Sequence, residues 1–223
     1  MKSKQQGFTL VEIAIVLVII GLLLGGILKG QEMITQAKIK NVIADFSGVS
    51  AAYHGYQDRY RAIPGDDPNA ATRWAVAPAA TAGNGNGVVA GAYNSGTATD
   101  ESRLWWDHLR RAGFVSGNGT QQPFNALTGL IGVQTGDGQA AVGPTMLNAA
   151  GGNGFVGLIM CSANLPDKIA IAVDTQMDDG ASNLGTVRAL LQAAPNPAVG
   201  AAQVATAAYA ETSTNIYTIC RSL

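Results

Sequence analysis

The sequence predicts an α+β fold: one long N-terminal helix, apolar in its first half and amphipathic in its second, packed on an antiparallel β-sheet head. Three observations carry that expectation. Phe8–Leu28 is an apolar run interrupted by one charge, and apolar residues from Ile39 to Tyr60 then recur at spacings of three and four. Beyond residue 60 the chain is rich in glycine and poor in charge, with short apolar segments of strand length; overall it has 28 glycines and only 13% charged residues.

A polar leader with Lys2 and Lys4 ends at Gly7, and the apolar run begins at Phe8. Its 21 residues span about 32 Å as a helix, matching a hydrocarbon core of about 30 Å. Lys2 and Lys4 favour a cytoplasmic N-terminus, which places the bulk of the chain outside. A secretory signal would need a shorter apolar region and a pair of small residues before the cut, whereas Lys29-Gly30-Gln31-Glu32 follows here.

After Lys29 the pattern becomes amphipathic without a break. Ile39, Val42, Phe46, Val49, Tyr53, Tyr56 and Tyr60 share one helical face, with Lys38, Lys40, Asp45 and Asp58 largely elsewhere. A continuous helix from Phe8 to Tyr60 would be about 80 Å long, with Gly48 and Gly55 as weak points. Ile63-Pro64-Gly65-Asp66-Asp67-Pro68 ends it. Residues 75–99, rich in Ala, Gly, Asn and Thr, are expected to form a long loop. Asp100–Ala112 predicts a short helix with Leu104, Trp105, His108, Leu109 and Ala112 on its apolar face and Gly113 as its stop. Strands are expected at Leu130–Thr135, Phe155–Cys161, Thr186–Leu191 and Ile216–Cys220, with a helix from Pro166 to about Met177.

Glu12 is the sharpest clue in the apolar run. A carboxylate at mid-bilayer costs on the order of 2.5–3.5 kcal/mol, less near the interface. It either snorkels to the headgroups or meets a cation within the membrane. Cleavage after Gly7 would supply one: a Phe8 α-amine, mostly protonated at neutral pH with a pKa of about 7.7–8.0.

Gly7 before Phe8-Thr9-Leu10-Val11-Glu12, then Ile13-Ala14-Ile15-Val16-Leu17-Val18-Ile19-Ile20-Gly21, resembles the processing site and helical spine of type IV prepilins and type II secretion pseudopilins. The resemblance covers about residues 1–60. It implies cleavage between Gly7 and Phe8 by a membrane prepilin peptidase, N-methylation of Phe8, and a role for Glu12 in inserting and registering the subunit in a helical fibre. It further implies an inner-membrane assembly platform and a homo- or hetero-polymer with other pilins. The short leader and Phe8 are similar to the type IVa class. One departure is Lys29, where many members carry a helix-breaking proline. Glu12 argues against the tip pseudopilin, which typically lacks this carboxylate. The large head and cysteine pair lean towards a type IV pilin.

The expected organisation is a leader over 1–7, a transmembrane helix over 8–28, an amphipathic helix over 29–60 and an extracytoplasmic globular head over 61–223, with the chain in the bacterial inner membrane before assembly. In such a compartment a bridge between Cys161 and Cys220 is chemically permitted, and two unpaired buried thiols are the alternative. A bridge across that separation stabilises by roughly 4 kcal/mol in the chain-entropy model. A bridged C-terminal segment is also similar to many type IV pilins.

Other chemistry is sparse. Asp174, Asp178, Asp179 and Gly180 form the densest acidic cluster. Such oxygens suit Ca²⁺, and some pseudopilins carry calcium in their heads. Asp-Asp-Gly is equally a common turn, however, and Arg188 or Lys168 is placed to neutralise it. Asp66 and Asp67 are a weaker candidate pair. No other cofactor is suggested. His54 and His108 accompany no nucleophile, and no catalytic or phosphate-loop motif occurs, so an enzyme is not expected. Net charge is −1. Arg110-Arg111 and the Lys38/Lys40 pair do not make the basic stripe that nucleic acid requires. A non-polymerising, single-pass membrane-anchored binding protein is the alternative to a fibre subunit.

Overall fold

The computed structural model describes residues 9–137, 146–148, 154–197, 203–204 and 208–223. The elements in order are helix α1 (Leu10–Tyr60), α2 (Ala70–Arg73), α3 (Glu101–Arg111), strands β1 (Ile131–Asp137), β2 (Met146–Asn148) and β3 (Val156–Pro166), helix α4 (Asp167–Met177), and strands β4 (Val187–Leu191), β5 (Gln203–Val204) and β6 (Ile216–Ser222). The fold is the expected α+β type, a long N-terminal apolar helix and a four-stranded antiparallel sheet of order β1-β3-β6-β4. β2 and β5 form a separate parallel pair. By internal contacts the chain divides into two units, Met1–Lys38 and Ile39–Leu223.

In the first unit α1 carries its apolar residues on every side. All of its large hydrophobics from Leu10 to Leu28 are exposed, from 46% at Ile20 to 85% at Leu10. A helix apolar all round has no wet face to offer, so its medium must be lipid or other helices.

In the second unit α1 obeys the amphipathic pattern. Ile39, Val42, Phe46, Val49, Ala52 and Tyr56 are buried, while Asn41, Ala44, Ser47, Ala51 and Asp58 are exposed. The stripe packs on α3 through Trp105, Trp106 and Leu109, and on the sheet face formed by Val133, Met160, Leu165, Val187, Ala189, Tyr217 and Ile219. Alternation along the strands sends Ile159, Cys161 and Cys220 to the opposite face, where Tyr93 and Phe155 cover them. The sheet is therefore buried on both sides, by helices on one and by Tyr93 and Phe155 on the other.

Neither sheet edge is bare. Along β1, Thr135 N–H donates to Val89 O; along β4, Ala189 N–H donates to Ser182 O and Val187 N–H to Asp178 Oδ2. Each edge thus has part of its backbone engaged by a neighbouring loop.

Residues 75–99 contain no regular element, as expected. α3 runs Glu101–Arg111, and Gly113 closes it with φ +83°, the left-handed conformation that suits glycine. Three differences from expectation have physical causes. β3 continues through Pro166 rather than ending at Cys161, because a register shift between Ser162 and Leu165 absorbs the interruption and pairing with β6 resumes. Pro166 is consequently the N-cap residue of α4 and not its first helical residue. The face of α3 is broader than its periodicity suggests: Trp106 and Ser102 are fully buried, and the charged Glu101, Arg103 and Asp107 are buried as well.

Candidate functional site

The processing residues Gly7 and Phe8 lie outside the described residues. The site becomes visible at Thr9 and Glu12. Thr9 N–H donates to Glu12 Oε2 at 2.8 Å, Thr9 Oγ1 donates to the same oxygen at 2.7 Å, and Glu12 N–H donates to Thr9 Oγ1 at 3.3 Å. This is a reciprocal capping box, with Thr9 just before the first helical residue and Glu12 at the third. It satisfies two of the amide groups that a helix start leaves open. All three bonds use Oε2 or the Thr9 hydroxyl, so among the described residues Oε1 of Glu12 has no partner. One oxygen fixes the helix start and the other is free to accept a cation. The Thr9-x-x-Glu12 spacing is itself the sequence signal of this cap.

Cys161 and Cys220 form a disulfide. They are directly paired positions on β3 and β6, both fully buried on the sheet face away from the helices.

The acidic cluster is real in space: one oxygen from each of Asp174, Asp178 and Asp179 lies within 4.8 Å of the others. Each carboxylate nevertheless already accepts protein hydrogen bonds. Asp174 takes Tyr209 Oη at 2.5 Å and Gly180 N–H at 3.2 Å. Asp178 Oδ2 takes the N–H groups of Thr186 and Val187, and Asp179 Oδ1 takes that of Ala181 at 2.8 Å. Donors aimed into the cluster compete with a cation, which would want six to eight oxygens around it. The donor set fits an anchor for the α4–β4 turn and the 208–210 segment better than a metal centre. Burial raises the Asp174 pKa; the Tyr209 and Gly180 bonds oppose this, and Asp179 and Asp178 reinforce it. Lys168, expected as a neutralising cation, pairs with Glu211 at 3.4 Å instead. Arg188 lies over the Phe155 ring at 4.5 Å; burial lowers its pKa, and attraction to Asp178 opposes that shift.

Three other carboxylates organise the head: Asp66 and Asp67, the weaker candidate pair of the sequence, and Glu101, which the sequence did not single out. Asp66 accepts Gly85 N–H at 2.6 Å and Asn86 N–H at 3.1 Å on Oδ1, and Gly87 N–H at 2.7 Å on Oδ2. Glu101 accepts Asn84 N–H at 3.0 Å and Ala90 N–H at 2.9 Å. The glycine-rich segment thus wraps two buried anions with its amides, because glycine leaves the backbone accessible. Asp67 accepts Tyr56 Oη at 2.7 Å, Arg73 Nη1 at 2.6 Å and Asn69 N–H at 2.8 Å. It ties the core stripe of α1 to α2.

His108 is a hydrogen-bonded core histidine. Gly65 N–H donates to Nδ1 at 2.9 Å, so the proton sits on Nε2, which donates to Thr81 O at 2.8 Å. Burial lowers its pKa, opposed by Thr81 O and by Asp67 and Asp107. Gly65 has φ +85°, and a Cβ there would collide with Glu101 O, so no other residue fits. The Arg110-Arg111 doublet is consumed internally. Arg110 binds the carbonyls of Ser116, Gly119 and Gln121, and Arg111 pairs with Asp107 at 2.6 Å. That arrangement spends the charge on loop closure rather than on phosphate.

Residues 2–28 match the family described as the prokaryotic N-terminal methylation motif, the signature of type IV prepilins and pseudopilins. The match supports a type IV pilin-like or pseudopilin protein with prepilin-peptidase processing, pilin-type assembly and membrane anchoring beforehand. No curated protein and no solved structure matches the chain.

Proposed function

We propose that this chain is a structural subunit of a type IV pilus or related fibre. In this reading prepilin peptidase cuts between Gly7 and Phe8 and methylates the new amine. Residues 8–28 hold the subunit in the inner membrane, residues 29–60 continue into the head, and the head over 61–223 faces the periplasm. The assembly platform then transfers it into a polymer of like or related pilins. The observation that carries the proposal is the methylation motif over residues 2–28, directly followed by a helix whose apolar residues are exposed all round.

The energetics give Glu12 its part. Burying each large apolar side chain from water is worth about 1.5–3 kcal/mol, so in an aqueous fibre the packed helices supply the cohesion. Lipid is as apolar as leucine, however, and exchanging lipid for helices is close to neutral. Register must then come from a polar contact in a low-dielectric core. Oε1 of Glu12 is the acceptor for the Phe8 ammonium of an adjacent subunit.

Mass spectrometry on sheared surface material and on membranes tests the assignment. A chain starting at N-methylated Phe8 and abundant in the sheared fraction is expected. The same processed chain confined to membranes would indicate a type II secretion pseudopilin or a minor subunit. An intact Met1–Gly7 leader in both fractions would leave a single-pass anchored binding protein. Glu12→Gln separates register from capping, because glutamine still closes a capping box but carries no charge. Processing should survive while incorporation into sheared fibres falls. Thr9→Val, which removes the cap hydroxyl and keeps the charge, should incorporate.

A further inference from the structure

The described residues contain three Asn-Gly pairs, Asn84-Gly85, Asn86-Gly87 and Asn118-Gly119, and the fold treats them oppositely. An asparagine followed by glycine is the sequence most open to self-modification. The following backbone nitrogen attacks the side-chain carboxamide, and glycine offers no side chain to obstruct it. Whether it happens depends on whether that nitrogen and that carboxamide are free.

At the first two pairs they are not. Gly85 N–H donates to Asp66 Oδ1 at 2.6 Å and to Asp66 O at 3.0 Å, and Gly87 N–H donates to Asp66 Oδ2 at 2.7 Å. The carboxamide oxygens are also engaged: Asn84 Oδ1 accepts Asn86 N–H at 3.0 Å and Asn86 Oδ1 accepts Val88 N–H at 2.8 Å. A nitrogen hydrogen-bonded to a carboxylate cannot turn towards its neighbour's carbonyl without breaking a charge-assisted bond.

The third pair differs. Asn118 and Gly119 are exposed, and among the described residues neither the Gly119 N–H nor the Asn118 carboxamide has a hydrogen-bond partner. A Cβ on Gly119 would meet nothing within 4 Å, so no neighbouring group crowds the Cα that follows the attacking nitrogen. Arg110 Nη1 holds Gly119 O at 2.7 Å, the carbonyl of the same residue whose nitrogen attacks.

We propose that Asn118 is a site of spontaneous deamidation and isomerisation, from which Asn84 and Asn86 are protected by Asp66. Gly119 N forms a bond to Asn118 Cγ, the Cγ–Nδ2 bond breaks, and ammonia leaves with the proton displaced from Gly119 N. Solvent water then opens the succinimide at either carbonyl, giving aspartate or isoaspartate at 118. The net change is water in and ammonia out, with no oxidant or reductant. The product carries a new carboxylate in the groove that Asn118 lines with Asp107, Arg110 and Arg111. Isoaspartate also reroutes the backbone between Ser116 and Gly119, two of the carbonyls that Arg110 grips.

The test is peptide mapping, with fragmentation that separates aspartate from isoaspartate, on the full-length protein in detergent at neutral pH. Native and urea-unfolded samples are followed over the same interval. Conversion at 118 in the native protein is expected to exceed that at 84 and 86 by roughly tenfold or more, the effect of one charge-assisted hydrogen bond. In the unfolded chain the three sites should convert at comparable rates, and Asn118→Gln should abolish the native signal. An unmodified Asn118 in the native protein, or native rates at 84 and 86 that equal the rate at 118, would overturn the proposal.

Discussion

Removing the carboxylate of Asp67 should unfold the head more readily than removing any comparable surface charge. Its side chain is 0% exposed and accepts from Arg73, which is 25% exposed, from the fully buried Tyr56 and from Asn69 N–H. Deleting one partner of a buried ion pair costs about 3–5 kcal/mol. The lower part of that range applies, because Arg73 recovers some hydration and keeps its stacking over the Tyr60 ring at 4.1 Å. Asp67→Ala should therefore cost about 3–4 kcal/mol, or roughly 6–16 °C in Tm for a domain of this size.

The assay is urea and thermal unfolding of a head fragment beginning at Ile39, the start of the second compact unit. Tyr56→Phe should cost about 1 kcal/mol alone and close to nothing in the Asp67→Ala background, since its acceptor is already gone. The pH dependence follows from the same contacts. Burial by itself would raise the Asp67 pKa, but the bonds from Tyr56, Arg73 and Asn69 outweigh it and the pKa is lowered. A lowered carboxylate pKa gives stability that is complete above the unfolded value, about 3.9, and lost as pH falls through the folded value. Asp67→Asn should flatten that acid limb. An Asp67→Ala loss below about 1 kcal/mol, or equal costs of Tyr56→Phe in both backgrounds, would refute the reasoning.

Asp66→Ala should release residues 84–87, read as new proteolytic cleavage there with the helical circular dichroism retained. His108 is held neutral by burial, so its folded pKa lies below the unfolded value of about 6.5. Stability should be complete above pH about 6.5 and decline as pH falls towards the folded pKa, and His108→Asn should remove that slope in urea titrations. Cys161→Ala with Cys220→Ala should lower stability by up to about 4 kcal/mol. Because both sulfurs are buried, thiol labelling after dithiothreitol should appear only when denaturant opens the sheet.

The helix ladder was legible because its cause is local. Tyr56 and Phe46 fall on the buried stripe by spacing alone, and Gly113 ends α3 because only a left-handed residue suits that position. β2 and β5 were not legible, since a three-residue and a two-residue strand carry no periodicity and exist only as each other's partners. The acidic cluster shows the same division within the candidate sites: the adjacency of Asp178 and Asp179 is a fact of sequence, but Tyr209 and the turn amides that occupy the carboxylates arrive from elsewhere in the chain.

By itself the sequence determined the N-terminal half of this protein's nature: a processing motif, an apolar helix and one carboxylate, all set by residues within a few turns of each other. Only the tertiary structure decided what the head's charges do. Asp66 and Asp67 read only as a weak acidic pair, His108 as part of an apolar face and Arg110 as half of a basic doublet, and Glu101 drew no reading, until the chain folds back. Folding then brings backbone amides and carbonyls from up to 43 positions away to satisfy them. A buried charge must find its partners, and where those partners are backbone groups, residue identity carries no record of which ones they will be.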